Sequence, residues 1–350
     1  MNSFAASSPT PALPLDALHD YLRAQGLVDH APLTATVLAG GQSNPTFRLQ
    51  CGARSMVLRK KPAGALLPSA HAIDREYRVM QALRDTDVPV PQMLAYCEDS
   101  ALLGTPFYLM DFLQGRVFMD QSLPGMAPAE RQAIYREMNR VIAALHAVDY
   151  RAVGLQDFGR EGQYVARQIA RWSRQCREST LPMNDAMHRL MEWLPAHLPA
   201  RDQTTLVHGD YRLDNLIFHP SEPRVIGVLD WELSTLGDPL ADLAYQCMAW
   251  RIPSTLWRGI GGLDLPALGI PTEAEYVRWY ADTTGRDAAG DWEFYLAYNL
   301  FRMAAILHGI AQRAADGSAA AADAVETGRK AGPLAEIGWQ CALGHAGPSR

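Results

Sequence analysis

Three oxygen-bearing side chains fall close together in the segment LVHGDYRLDNLIFHPSEPRVIGVLDWE: Asp210, Asn215 five residues later, and Asp230 fifteen residues beyond that. Two short apolar runs, Leu216–Phe218 and Val225–Leu229, flank the turn His219–Arg224, which contains Pro220 and Pro223. The pattern predicts a hairpin, with Asn215 just before its first strand and Asp230 just after its second. Hairpin ends meet with facing Cα atoms ~5 Å apart, so an amide oxygen and a carboxylate converge. That pair suits Mg²⁺, which prefers hard oxygen ligands and keeps several waters and phosphate oxygens. Asp210, on the loop entering the hairpin, fits a base that accepts the proton of a substrate hydroxyl. Arg212 is placed to offset charge on a transferring phosphoryl group. Any one of these residues alone reads as a cap or a turn; the set between strands reads as chemistry.

A second group could handle phosphates. Gly40-Gly41-Gln42-Ser43-Asn44 joins two predicted strands. Glycines there let a backbone approach phosphates and aim N–H groups at them, although the same string serves as a tight hairpin turn. It matches neither GxGxxG nor a Walker A loop. Ile73, Glu76, Met80 and Leu83 share one helical stripe, so a carboxylate sits on an apolar face. A buried carboxylate needs a partner, and the strand Met56–Lys61 offers Arg59, Lys60 and Lys61.

The elements that must position these residues follow from the patterning. Leu15, Leu18 and Leu22 predict an opening amphipathic helix. Strands are expected at Thr36–Leu38, Thr46–Leu49, Met56–Leu58 and Phe107–Met110, interrupted by one helix over Ala70–Leu83. Beyond Gln114 the texture is helical: Ala129–Val148, Glu161–Glu178, Asn184–Leu194, Pro239–Trp250, Glu273–Thr283, Trp292–Arg313 and an alanine-rich last helix near Ala319–Ala331. The class is α+β: a tail and helix over 1–30, an antiparallel-sheet lobe with one helix over 31–113, and a mostly helical lobe over 114–345. The loop Ile252–Pro271 is rich in glycine and proline.

The 350 residues suffice for two lobes, and 48% hydrophobic residues suffice for a large core. A net charge of −6 argues against nucleic acid or an anionic membrane surface as partner. No apolar run reaches the ~20 residues of a membrane helix. MNSFAASSPTPALP reads as a disordered tail rather than a signal peptide. Five scattered cysteines (Cys51, Cys97, Cys176, Cys247, Cys341) read as free thiols of a reducing compartment, and the expected location is the cytoplasm.

HGDYRLDN followed by DWE parallels the H-R-D-x-x-x-x-N and D-F-G strings of protein kinases and resembles the aminoglycoside phosphotransferase-like kinases. The likeness extends through GDPLADLAY. Upstream, LRKKPAGALLPSAHAIDREYRVMQAL resembles the branch found fused to acyl-CoA dehydrogenases. The resemblance covers roughly Leu33 to Gln312 and implies a bilobal protein-kinase-like fold using ATP and Mg²⁺. It assigns Asp210 as catalytic base, Asn215 and Asp230 as metal ligands, and His208 as a holder of the loop. It favours Arg59, with Lys60 as runner-up, as the partner of Glu76 that reaches the α- and β-phosphates. It turns Gly40, Gly41, Ser43 and Asn44 into phosphate-loop residues and places an adenine-reading hinge at Met110–Leu113, including Asp111 and Leu113. Asp242 is implied either as an anchor of the catalytic loop or as a helix cap. Trp231 and Glu232 replace the phenylalanine and glycine of D-F-G, which argues against a protein-kinase-style switch. The segment after Asp230 is expected to pass straight into a helix, leaving no long activation loop and so no protein substrate.

The expected activity is transfer of the γ-phosphate of ATP to a hydroxyl of a small molecule, with a hydroxyacyl thioester of coenzyme A as the leading acceptor. That acceptor is implied by the branch, whose kinase-like domains are linked to hydroxyacyl-CoA phosphorylation. The alternatives are an inactive kinase-like binding module and a metal-dependent hydrolase. His146 is expected as a packed helix residue, and Arg302, on an apolar helix, as a substrate-facing cation or a salt-bridge partner.

Overall fold

The computed structural model of the chain describes residues 13–38, 44–62, 72–287, 290–317 and 323–344. Gly40, Gly41 and Ser43 lie outside the described residues. Two compact units emerge: Met1–Arg116 with Ile217–Pro220 and Ile226–Ser234, and Val117–Leu216 with Ser221–Val225 and Thr235–Arg350.

In the first unit, α1 (Leu15–Ala24) buries Leu18 and Leu22 completely, as their spacing dictates. It is followed by β1 (Leu33–Val37), β2 (Thr46–Cys51), β3 (Arg54–Lys60), α2 (Ile73–Leu83), β4 (Met93–Cys97), the single turn α3 (Ser100–Leu103) and β5 (Phe107–Asp111). The strands form one antiparallel sheet in the order β1-β2-β3-β5-β4. Met56, Leu58, Phe107 and Leu109 join the α1 leucines in a buried cluster. Arg59 and Tyr108 sit opposite each other across β3 and β5, on the alternate face. The sequence gives no sign of β4. Pro89 and Pro91 just before it read as loop, and its burial follows no period of two.

The second unit is helical: α4 (Pro128–Ala147), α5 (Tyr164–Glu178) and α6 (Asp185–Ala196) precede β6 (Thr205–Val207). A 3₁₀ turn at Leu213–Asn215 leads into β7 (Leu216–Phe218), which pairs with β8 (Val225–Val228), the predicted hairpin, whose residues Ile217–Pro220 and Ile226–Val228 belong to the first unit. The chain then departs from expectation. After Asp230 it makes a 3₁₀ turn at Trp231–Leu233 and a strand, β9 (Thr235–Gly237), antiparallel to β6, before any helix begins. Three residues between polar Ser234 and the cap of the next helix are too few to announce a strand from sequence.

That next helix, α7 (Pro239–Arg251), starts at the Asp238 cap with proline in its first turn. It is buried on every face from Pro239 to Trp250, as is α10 (Trp292–Ala315) over Phe294–Ala305. Between them lie the short α8 (Leu265–Leu268) and α9 (Glu273–Thr284), which opens with a Thr272–Glu275 capping box. The alanine-rich end gives two helices, α11 (Ala324–Gly328) and α12 (Ala331–Gly344), where one was predicted. Pro333 is tolerated only in a first turn, so a new helix must begin just before it. Among the described residues no helix is long and apolar enough to cross a membrane.

Candidate functional site

In the sheet unit, Glu76 is 1% exposed and gathers three side chains. Arg59 Nε lies 3.0 Å from its Oε2, the Tyr108 hydroxyl donates to Oε2 at 2.9 Å, and the Asn44 amide donates to Oε1 at 3.0 Å. Burial pushes the Glu76 carboxyl above its usual range, against the pull of Arg59 and Tyr108. For Arg59, burial alone would lower its affinity for the proton; Glu76, Tyr108 and Asp230 outweigh it, and the guanidinium stays charged. Arg59 Nη2 also reaches Asp230 Oδ1 at 3.4 Å. Lys60, the runner-up, is turned away: its ammonium is buried and donates to the Leu103 carbonyl at 2.7 Å.

Asp230 ends β8 with φ +65°, a left-handed conformation that aspartate tolerates better than most residues. Its side chain keeps 34% exposure. Asp111 pairs with Arg54 at 3.2 Å, and its N–H already donates to the Gln92 carbonyl. Leu113 packs on Gly227, where an added Cβ would lie 2.4 Å from Leu113 Cδ1. Asn44, expected among the phosphate-loop residues, is fully buried, and its amide nitrogen donates to Glu76.

In the helical unit the loop 208–215 is held from several sides. Asp242, on α7, accepts from the His208 N–H and the Gly209 N–H, each at 2.8 Å, and from His146 Nε2 at 3.1 Å. Burial alone would raise the Asp242 carboxyl, but the hydrogen bonds and charge from His146 and His208 hold it below its usual range. Asp242 is thus an anchor of this loop, and Asp238 is the helix cap. His146 is packed, as expected, with Nδ1 2.8 Å from the Tyr280 hydroxyl. His208 Nδ1 accepts from the Asp210 N–H at 3.2 Å, which braces the loop from within.

Asp210 itself meets Arg212 Nε at 3.2 Å, the Asn215 amide at 3.1 Å and the Tyr245 hydroxyl. Because Asn215 donates its nitrogen to Asp210, its carbonyl oxygen is the atom left for a cation. Among the described residues Arg302 forms no contact salt bridge. It is 6% exposed and donates to the Gly209 carbonyl at 2.8 Å. Tyr108 and Tyr245 were not singled out from sequence. Tyr245 stands one helical turn beyond Asp242, so the i, i+3 spacing within GDPLADLAY was the available signal.

Comparisons with known proteins identify the family. A model of the Phosphotransferase enzyme family matches residues 34–292. Mouse acyl-CoA dehydrogenase family member 10 is 48% identical over 95% of the chain, which spans 31% of that protein. Rat acyl-CoA dehydrogenase family member 11 is 43% identical over 92% of the chain, which spans 42% of it. A crystal structure from Ralstonia eutropha, provisionally named an aminoglycoside phosphotransferase, is 53% identical with a TM-score of 0.86, covering 94% of this chain and 98% of that one. An aminoglycoside phosphotransferase in complex with ADP and hygromycin B shares the fold at 17% identity and a TM-score of 0.59, over 91% of this chain and 97% of that one. The fold is therefore protein-kinase-like, and the chain belongs to the phosphotransferase enzyme family.

Proposed function

We propose that the chain is an ATP- and Mg²⁺-dependent kinase that moves the γ-phosphoryl group of ATP to a hydroxyl of a small molecule. The observation that carries this reading is the setting of Asp210: a carboxylate on a braced loop, beside the cation Arg212 and the amide Asn215. In this reading Asp210 accepts the hydroxyl proton and Arg212 offsets charge on the transferring group. Asn215 and Asp230 supply a carbonyl and a carboxylate oxygen, the donor types a hard cation takes. Mg²⁺, when bound there, would neutralise charge on the phosphates. Arg59, oriented by Glu76, would reach the α- and β-phosphates. Gly40, Gly41 and Ser43 would cradle them, with Asn44 fixing the end of that loop. Asp111 and Leu113 would frame the adenine.

The acceptor we propose is a hydroxyacyl thioester of coenzyme A, because the curated relatives carry acyl-CoA dehydrogenase names. A small pocket beside Asp210 has Arg212, Arg258, Gln121, Gln246, Trp257 and Met303 among its lining residues, and Asp214 pairs with both arginines. Five buried free thiols fit a reducing cytoplasm.

The test is ADP release from Mg-ATP with 4-hydroxyacyl-CoAs, free hydroxy acids, choline and an aminoglycoside. Asp210→Asn should keep ATP binding and lose transfer by orders of magnitude. Full turnover by that variant would remove Asp210 from the mechanism, and turnover of choline or an amino sugar alone would refute the thioester.

A further inference from the structure

Arg302 is buried in α10, yet its one hydrogen bond among the described residues goes to a carbonyl, and its Nε has no partner. Among the described residues no carboxylate touches it; Asp210 and the surrounding tyrosines offset its burial through space and keep it charged. The carbonyl it grips belongs to Gly209, the residue before Asp210, in a left-handed turn with φ +80°. Asp242 grips the N–H of the same glycine. Opposite charges thus hold opposite ends of one residue: Asp242 grips the peptide before Gly209, while Arg302 and His208 Nδ1 grip the C=O and N–H of the peptide after it, which carries Asp210.

The same guanidinium lies 5.1 Å from the centre of the Tyr245 ring. Tyr245 is itself buried, and its hydroxyl donates to Asp210 Oδ1. A carboxylate offers about four lone-pair sites. Tyr245 donates to Oδ1 and the Asn215 amide to Oδ2, while Arg212 Nε lies 3.2 Å from both oxygens. An acceptor hydroxyl that gives its proton to Asp210 must use a lone pair that these donors leave open, so the direction of the Tyr245 O–H constrains where it enters.

We infer that Tyr245 and Arg302 are positioning residues of the phosphoryl-transfer step: Arg302 fixes the Gly209–Asp210 peptide and the Tyr245 ring, and the Tyr245 hydroxyl fixes which face of Asp210 meets the acceptor. This rests on the kinase reading above. Neither side chain touches the nucleotide in this scheme, so each should govern transfer rate and leave nucleotide affinity alone.

The experiment uses the full chain with Mg-ATP and 4-hydroxypentanoyl-CoA, reading ADP formation, ATP affinity and amide hydrogen exchange over 206–212. Tyr245→Phe should lower kcat by about 10- to 100-fold, the scale of a small misplacement of a reacting group, with ATP Kd within twofold. Arg302→Met should do the same and speed exchange at His208–Asp210, and Arg302→Lys should recover part of both. A kcat within twofold of the unaltered chain for Tyr245→Phe, or a fall in ATP affinity that parallels the fall in kcat, overturns the inference. So does unchanged exchange in Arg302→Met. Failure of the kinase reading looks different, because the unaltered chain would then form no ADP with any acceptor.

Discussion

Glu76 in the first unit and Asp242 in the second are both buried carboxylates, and they are satisfied in opposite ways. Glu76 is held by side chains alone: a guanidinium, a phenol and an amide. Asp242 is held largely by backbone, two consecutive N–H groups, with a neutral-biased imidazole as third donor. Side-chain partners can rearrange when the hub is removed, whereas backbone N–H groups cannot leave the loop they belong to. Glu76 is therefore an orienting device for Arg59, and Asp242 is a structural element of its loop.

The sharpest way to break that contrast is to delete both hubs and compare. Asp242→Ala leaves two buried N–H groups and a histidine without their acceptor. At about 1–3 kcal/mol for each of these three unsatisfied groups, a loss of roughly 3–9 kcal/mol is expected from urea unfolding. Glu76→Ala should cost less stability, about 1–3 kcal/mol, and weaken Mg-ATP binding instead. On an Arg59→Met background the same change should lose most of its effect on ATP affinity, since the oriented cation is already gone. Equal stability losses with unchanged ATP affinity would erase the distinction.

A smaller effect separates Asp238 from its neighbour Asp242 on α7. Burial raises the Asp238 carboxyl to about 6, despite donors from Leu240, Ala241 and Tyr295. A carboxyl raised in the folded state binds its proton more tightly there than in the unfolded chain. Its contribution is thus largest below the ordinary aspartate range, declines as pH rises through 6, and stays flat above. Asp238→Asn keeps a good cap and removes that decline, worth about 2–3 kcal/mol at 1.36 kcal/mol per pH unit. Melting curves between pH 4 and 8 should show the variant gaining on the unaltered chain as pH rises. The smallest expected change is Tyr108→Phe, about 1.5 kcal/mol for one lost hydrogen bond to a carboxylate, with a modest loss of ATP affinity.

What could be read from the chain beforehand follows the reach of each signal. Long periodic helices such as α4 and α10 carry many turns of pattern, and their ends were placed within two residues. The hairpin around Pro220 and Pro223 was legible because turn chemistry is local. Glu76 betrayed itself as a charge on an apolar stripe. By contrast, β9 and the β6 pairing depend on partners thirty residues apart, which no local window holds. Arg302 was legible as a buried cation, but its acceptor is a carbonyl, and backbone acceptors leave no mark in a sequence. Tyr108 met Glu76 only through the β3–β5 register, which the intervening helix hides.

The cysteines have a practical consequence. All five are buried, and burial raises the thiols of Cys51, Cys176, Cys247 and Cys341 away from the reactive thiolate. The folded chain should therefore be nearly silent to a maleimide dye. A cysteine introduced at Met119, whose side chain is 68% exposed, would then carry a single label without removal of any native thiol. Fluorescence from that position could follow the segment that leads into α4 during turnover.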